Sequence, residues 1–414
     1  MKISLCLLLL FTLSSCNQSE SSKIEKKGII GLWRGVLASP GGELPFGIDI
    51  KKDGTVFTAK IINGEERVET SSVAFLNNQL TINFEWYDAK ISAKLDGDNK
   101  LVGEWSKTAS GENKTSSLPF TATQGYSTRF SQENLSDNGS TIKGQWEVTF
   151  TDGDGDSIAV AEFQQQGQIV SGTFLTPTGD YRYLSGVANN GKLYLSAFDG
   201  AHAFLFNAEL KDNIIFNGNF WSRDSYHATW TALKSDKTAD FLPNSWEMNQ
   251  ATTEVSFAFE NTKGQLIQLT DEQFKNKPVL INLFGTWCPN CNDEAPVLAK
   301  LYDKYNPQGL EIVGLAFEFT EDPIRDKKQI DVFEKRHAIN YPLLLAGGND
   351  KSEATKILGF LDEVKSYPTT IFLDRNHKVV KIHTGFSGPG TGDHYTNLIK
   401  ELEKEINNLL VQTL

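Results

Sequence analysis

Hydrophobic and polar positions alternate in short runs from residue 31 to about 234, as in LPFGIDI, QLTINFEW and KISAKL. A period of two over a handful of residues predicts strands with one buried face. Asp53-Gly54, Asn63-Gly64 and Asp96-Gly97 punctuate these runs, and such pairs tolerate the positive φ that tight hairpins require. Beyond residue 255 the pattern changes. The segment 277–284, KPVLINLF, is apolar without alternation, the mark of a strand covered on both faces, and 310–319 reads the same way. Helical periods follow at 293–305, 326–337, 352–360 and 395–410, with further strands at 369–374 and 379–384. Strands alternating with helices predict an α/β sheet.

The β region repeats itself. Gly31-Leu32-Trp33 is echoed by Gly144-Gln145-Trp146, and Phe120-Thr121-Ala122 by Trp230-Thr231-Ala232. Gly103-Glu104-Trp105-Ser106-Lys107 is answered by Gly218-Asn219-Phe220-Trp221-Ser222-Arg223. This predicts two homologous all-β modules, 31–124 and 144–234, each a small antiparallel barrel or sandwich, joined by a polar segment at 127–140. Residues 235–254 read as a linker. The GxW opening resembles that of small β modules in exported lipoproteins and the first strand of lipocalins. A side-chain-filled spacer or docking role is expected of the modules rather than a ligand cavity, since fold does not imply function. Asp152-Gly153-Asp154-Gly155-Asp156 has alternate carboxylates, but Ser157 and Phe163 stand where a helix-loop-helix calcium site needs Gly and Glu. A hairpin turn is expected there.

The N-terminus adds an address. Lys2 precedes an apolar run at 3–13, too short for the roughly 20 residues of a membrane span and suited to a secretory signal. Leu13-Ser14-Ser15-Cys16 resembles the lipobox of bacterial lipoproteins. That resemblance implies removal of 1–15, lipid on Cys16, a tether at 16–30, and a membrane-anchored protein of the cell envelope facing the periplasm or cell surface. A net charge of -12 argues against nucleic-acid partners, whose binding relies on Lys and Arg neutralising phosphates. Of the 4 Cys, Cys6 would leave with the signal and Cys16 would carry lipid. The remaining pair, Cys288 and Cys291, is no disulfide framework.

That pair lies in GTWCPNC, residues 285–291. Zinc needs about four ligands, yet no second CxxC exists and the nearest histidine, His337, stands alone; no metal is expected. A loop this small makes a weak structural staple. Redox chemistry remains, with the dithiol/disulfide pair itself as the only cofactor. A buried strand ends and a helix opens at the cysteines, so Cys288 lies where unpaired N–H groups and the helix dipole stabilise a thiolate. Cys288 is expected to be the exposed, attacking sulfur, with a pKa below the free value of about 8.5. Cys291 is expected to be more buried and to resolve the mixed disulfide. Pro289 suits a first helical turn, whereas Pro296 is expected to kink the helix.

Trp287-Cys288-Pro289-Asn290-Cys291, followed by Glu294 and Pro296, resembles the thioredoxin superfamily and within it the TlpA/ResA-like thiol–disulfide oxidoreductases. Tyr367-Pro368-Thr369-Thr370 resembles the family's cis-proline segment. The resemblance covers 255–414 and implies a thioredoxin-like α/β domain after the two β modules. It implies that Trp287, Tyr367 and Pro368 bind substrate and that Glu294 moves a proton to or from Cys291. Asn282 replaces the buried Asp of thioredoxin itself. The resemblance favours reduction of protein disulfides, including those of apocytochrome c, with an upstream membrane thiol carrier restoring the pair. The same residues permit an oxidase or isomerase, and a lipoprotein whose β modules bind the main ligand or partner is a further alternative. The glycine-rich stretch 385–392 reads as a flexible turn capped by Thr391 or Asp393, and His383 as packed or surface.

Overall fold

The computed structural model describes residues 28–108, 115–125, 128–130, 141–238, 241–248, 254–320 and 322–411. The signal segment, Cys16 and most of the joint at 127–140 lie outside the described residues.

The alternating region forms two antiparallel barrels. Among the described residues each contains nine strands, of which eight close a ring and one hangs beside it. In the first barrel Gly31–Ser39 pairs with both Gly42–Asp53 and Thr115–Gln124, and the extra strand is Glu66–Glu69. In the second, Gly144–Asp152 pairs with both Gly155–Gln166 and Tyr226–Lys234, and the extra strand is Gly179–Asp180. The acidic run at 152–156 is the expected hairpin, with Asp152 opposite Gly155. The repeat extends to side-chain detail. Trp33 Nε1 donates to the Ile29 carbonyl and Trp146 Nε1 to the Ile142 carbonyl, each at 2.8 Å. Both indoles are fully buried, where an N–H must find an acceptor.

The barrel interiors are packed with side chains, as eight-stranded rings allow. Phe206 stacks on Phe220 at 4.2 Å in the second barrel. The first is stoppered by its neighbour: Phe198, from the second barrel, packs 4.4 Å from Phe46, 5.7 Å from Phe84 and 5.9 Å from Trp105. The Asn63 amide donates to the Phe198 carbonyl at 2.8 Å and accepts from its N–H at 3.1 Å. Arg129, from the joint, donates to Asn63 Oδ1 at 2.9 Å and Ser196 Oγ at 2.8 Å. Because the barrels share a core, they form one body rather than two beads on a string.

Among the described residues the C-terminal sheet has eight strands. At its centre the parallel pair Val279–Phe284 and Glu311–Glu318 is buried at every position, as their unbroken apolar runs imply. Helices α1 (Pro289–Tyr305), α2 (Pro323–His337), α3 (Lys351–Leu358) and α4 (Asp393–Val411) accompany it. The segment read as a linker needs correction. Trp246–Met248 is an edge strand paired with Val379–Thr384, and Trp246 rests on His383 at 4.5 Å and under the Lys381 ammonium at 4.3 Å. Its three residues were too few for periodicity to register. Helix α1 begins four residues before the periodic run and continues through Pro296. Among the described residues no helix is long and apolar enough to cross a membrane.

Candidate active site

The buried strand Val279–Phe284 delivers the chain to the turn Gly285-Thr286-Trp287, and Cys288 then caps α1. Its Sγ accepts from the Cys291 N–H at 3.3 Å, satisfying one of the donors every helix start leaves open. Both cysteines are thiols. Cys288 is 5% exposed and Cys291 1%. The order of burial is as expected, but Cys288 is not the exposed sulfur anticipated. Its Sγ faces the Tyr367 carbonyl at 3.5 Å, directly before the cis Tyr367–Pro368 bond, and the second barrel docks over this end of α1. Burial, then the bond and charge of Cys288, push the Cys291 thiol well above its ordinary value, and Glu294 adds to the effect.

Glu294 is 1% exposed. It accepts from Asn282 Nδ2 at 2.7 Å and from Thr370 Oγ1 at 3.0 Å. Burial pushes its carboxyl up to about 7, against the pull of those two hydrogen bonds. A carboxyl half-ionised at neutral pH beneath a buried thiol is equipped to exchange a proton.

Other residues hold the turn. Glu318 is fully buried and accepts from both the N–H and Oγ1 of Thr286 at 2.8 Å; burial pushes it up to about 7. Trp287 Nε1 donates to the Phe317 carbonyl at 2.9 Å. Asn292 donates to the carbonyls of Thr286 and Cys288, each at 3.0 Å, and its Oδ1 lies 3.0 Å from His337 Nε2. Burial lowers His337 to about 3, so it is neutral and supports the turn. Its isolation in sequence hid this role. Glu318 left one signal, a charge closing an apolar strand.

The extra strands of both barrels meet this site. Gly179 lies so close to Asn290 that a Cβ there would fall 1.6 Å from Asn290 Nδ2. A Cβ on Gly385 would fall 2.6 Å from the Thr178 carbonyl carbon. The Gly388 N–H donates to Asp180 Oδ2 at 2.6 Å, and the Gly385 N–H to the Pro368 carbonyl at 2.8 Å. The stretch 385–392, read as a flexible turn, is therefore clamped between the cis-proline segment and the second barrel. Arg182 binds Asp293 of α1 at 2.6 Å, Glu66 of the first barrel at 2.7 Å and Asp199 of the second at 3.1 Å. Burial opposes the guanidinium's charge, but these carboxylates outweigh it and raise its pKa.

The AhpC/TSA family profile matches residues 250–382. The thiol-disulfide oxidoreductase ResA of Bacillus subtilis is 31% identical over 153 residues, 37% of this chain and 77% of that protein. The chain belongs to the ResA family of thiol–disulfide oxidoreductases. ResA of Halalkalibacterium halodurans is 29% identical over 182 residues, 44% of this chain and 95% of its own. A thiol:disulfide interchange protein of Chlorobium tepidum is similar in structure, with 22% identity, 37% of this chain and 97% of that chain covered, and a TM-score of 0.28. The two ResA matches span less than half of this chain.

Proposed function

We propose that the chain is an exported, lipid-anchored reductase of protein disulfides. Family membership supports dithiol exchange, and the lipobox at Cys16 supports the anchor in the cell envelope. The direction rests on one observation: the ionisable group beneath the sulfurs is the Glu294 carboxyl, not a cation. A strong oxidant needs its reduced form stabilised, and a carboxyl beside Cys291 works against a thiolate.

Cys288 as thiolate attacks one sulfur of the target disulfide. The target S–S bond breaks, and its other sulfur leaves as thiolate and takes a proton. Cys291 passes its proton to ionised Glu294 and attacks Cys288 Sγ, expelling the second target sulfur. Two electrons have moved to the target, and Cys288–Cys291 is left as a disulfide. An upstream membrane dithiol restores it. Trp287, Tyr367 and Pro368 frame the approach of the target chain.

The midpoint potential of the intact protein tests the direction. A value near about -270 mV supports the reductant, and one near about -120 mV makes the protein an oxidase. Cys288→Ser is expected to abolish insulin reduction; retained activity would remove the assigned mechanism.

A further inference from the structure

We propose that the cavity between the mouth of the second barrel and the Trp287–Pro289 step is a specificity subsite, and that it receives an aromatic side chain beside a carboxylate on the polypeptide flanking the target disulfide. This rests on Cys288 being the nucleophile toward a protein disulfide.

The cavity measures about 450 Å³, room for roughly two or three side chains. Three parts of the chain build it. Tyr181, Phe204 and Phe220 come from the second barrel, Trp287 and Phe319 from the redox domain, and Lys107 from the first barrel. Trp287 and Pro289 flank Cys288, so an occupant lies beside the nucleophile. The opposite flank is filled, because Thr178-Gly179 press against Gly385 and Asn290. A target chain reaching Cys288 is thus directed into the cavity rather than across the 385–392 loop.

Among the described residues the lining carries Lys107 and Arg223 and no Asp or Glu. The third basic group, His202, is engaged by Asp199 at 3.0 Å. Lys107 Nζ donates to the Tyr87 carbonyl at 2.8 Å and stands 5.8 Å from the Phe319 ring. Burial first, then the charge of Arg223, lower Lys107 to about 7, against the pull of Asp199 and Asp88. Lys107 and Arg223 are partly desolvated cations that repel each other, and a carboxylate between them relieves that repulsion through charge-assisted hydrogen bonds. The surrounding rings offer offset and edge contacts to an aromatic guest. An acidic, aromatic segment satisfies both features; a basic or glycine-rich one satisfies neither.

The test uses two disulfide-closed peptides that differ only beside one cysteine, Phe-Glu in one and Gly-Lys in the other. Binding is measured by calorimetry on the full chain carrying Cys288→Ser and Cys291→Ser, and reduction on the wild-type chain. The expected result is at least tenfold tighter binding of the Phe-Glu peptide, with the preference falling to within about twofold in Arg223→Gln and in Lys107→Met. Arg223→Gln keeps the test decisive if Lys107→Met does not fold. Equal binding, no binding of either peptide, or a preference that survives Arg223→Gln overturns the subsite. Preferential binding with neither peptide reduced would keep the subsite and remove the reductase reading.

Discussion

Arg182 Nη1 stands 2.6 Å from Asp293 Oδ2, joining the second barrel to the helix that Cys288 caps. Asp293 is the second residue after Cys291, so the guanidinium holds the helix just past the redox pair. Arg182→Met leaves Asp293 and Glu66 buried without their cation, while Asp199 keeps His202. The expected loss is about 3–5 kcal/mol of unfolding free energy, read by urea denaturation. A loss below about 1 kcal/mol would show that the pairing holds nothing together.

Glu294 sets a pH dependence whose sign follows from its raised pKa. The group is most compatible with the fold when protonated, so its contribution is complete below its unfolded value of 4.5 and is lost as pH rises through about 7. Glu294→Gln should therefore gain on the wild type between pH 4 and 9, by up to about 3 kcal/mol. Thermal unfolding across that range checks it; parallel curves would refute it. In single-turnover experiments the same variant should slow release of the second target sulfur by at least about tenfold while leaving mixed-disulfide formation faster than release.

Glu318 should matter through the turn it holds. Glu318→Ala strands the buried N–H and hydroxyl of Thr286, at a cost of about 1–3 kcal/mol. Glu318→Gln retains an acceptor and should lose less. If the two variants are equally stable, the carboxylate is not what fixes the turn.

Gly179→Ala should wedge the second barrel away from Asn290 and speed alkylation of Cys288 by iodoacetamide. Adding Asn290→Ala removes the collision and should recover part of the protection. The recovery is partial because Gly179 has φ +153°, a conformation a side chain resists. Unchanged alkylation in Gly179→Ala would mean that the barrel does not shield the sulfur.

The strands, helices and redox pair were legible because each leaves a local mark: alternation, unbroken apolar runs, CxxC at a helix start. The module repeat was legible because Trp33 and Trp146 make the same contact. Glu294 and Asn282 were found through the resemblance to TlpA/ResA-like proteins, which ties both positions to the cysteines. The burial of Cys288 was not legible, nor was the fixed state of 385–392, because the first packs against Tyr367 and the second against Thr178 and Gly179, all far away in sequence. Arg182 gave no sign either. It is one arginine outside any strand, and only folding gathers its carboxylates from three parts of the chain. Trp246–Met248 was too brief to show a period.

Asn290 lies between the two sulfurs in sequence and touches Gly179 of the second barrel. The dipeptide inside such a pair helps calibrate its electron affinity, and here that dipeptide has a neighbour from another module. A C-terminal fragment cut free of the barrels would keep both sulfurs and lose part of what calibrates them. Its electron affinity and its choice of targets would be those of a different reagent.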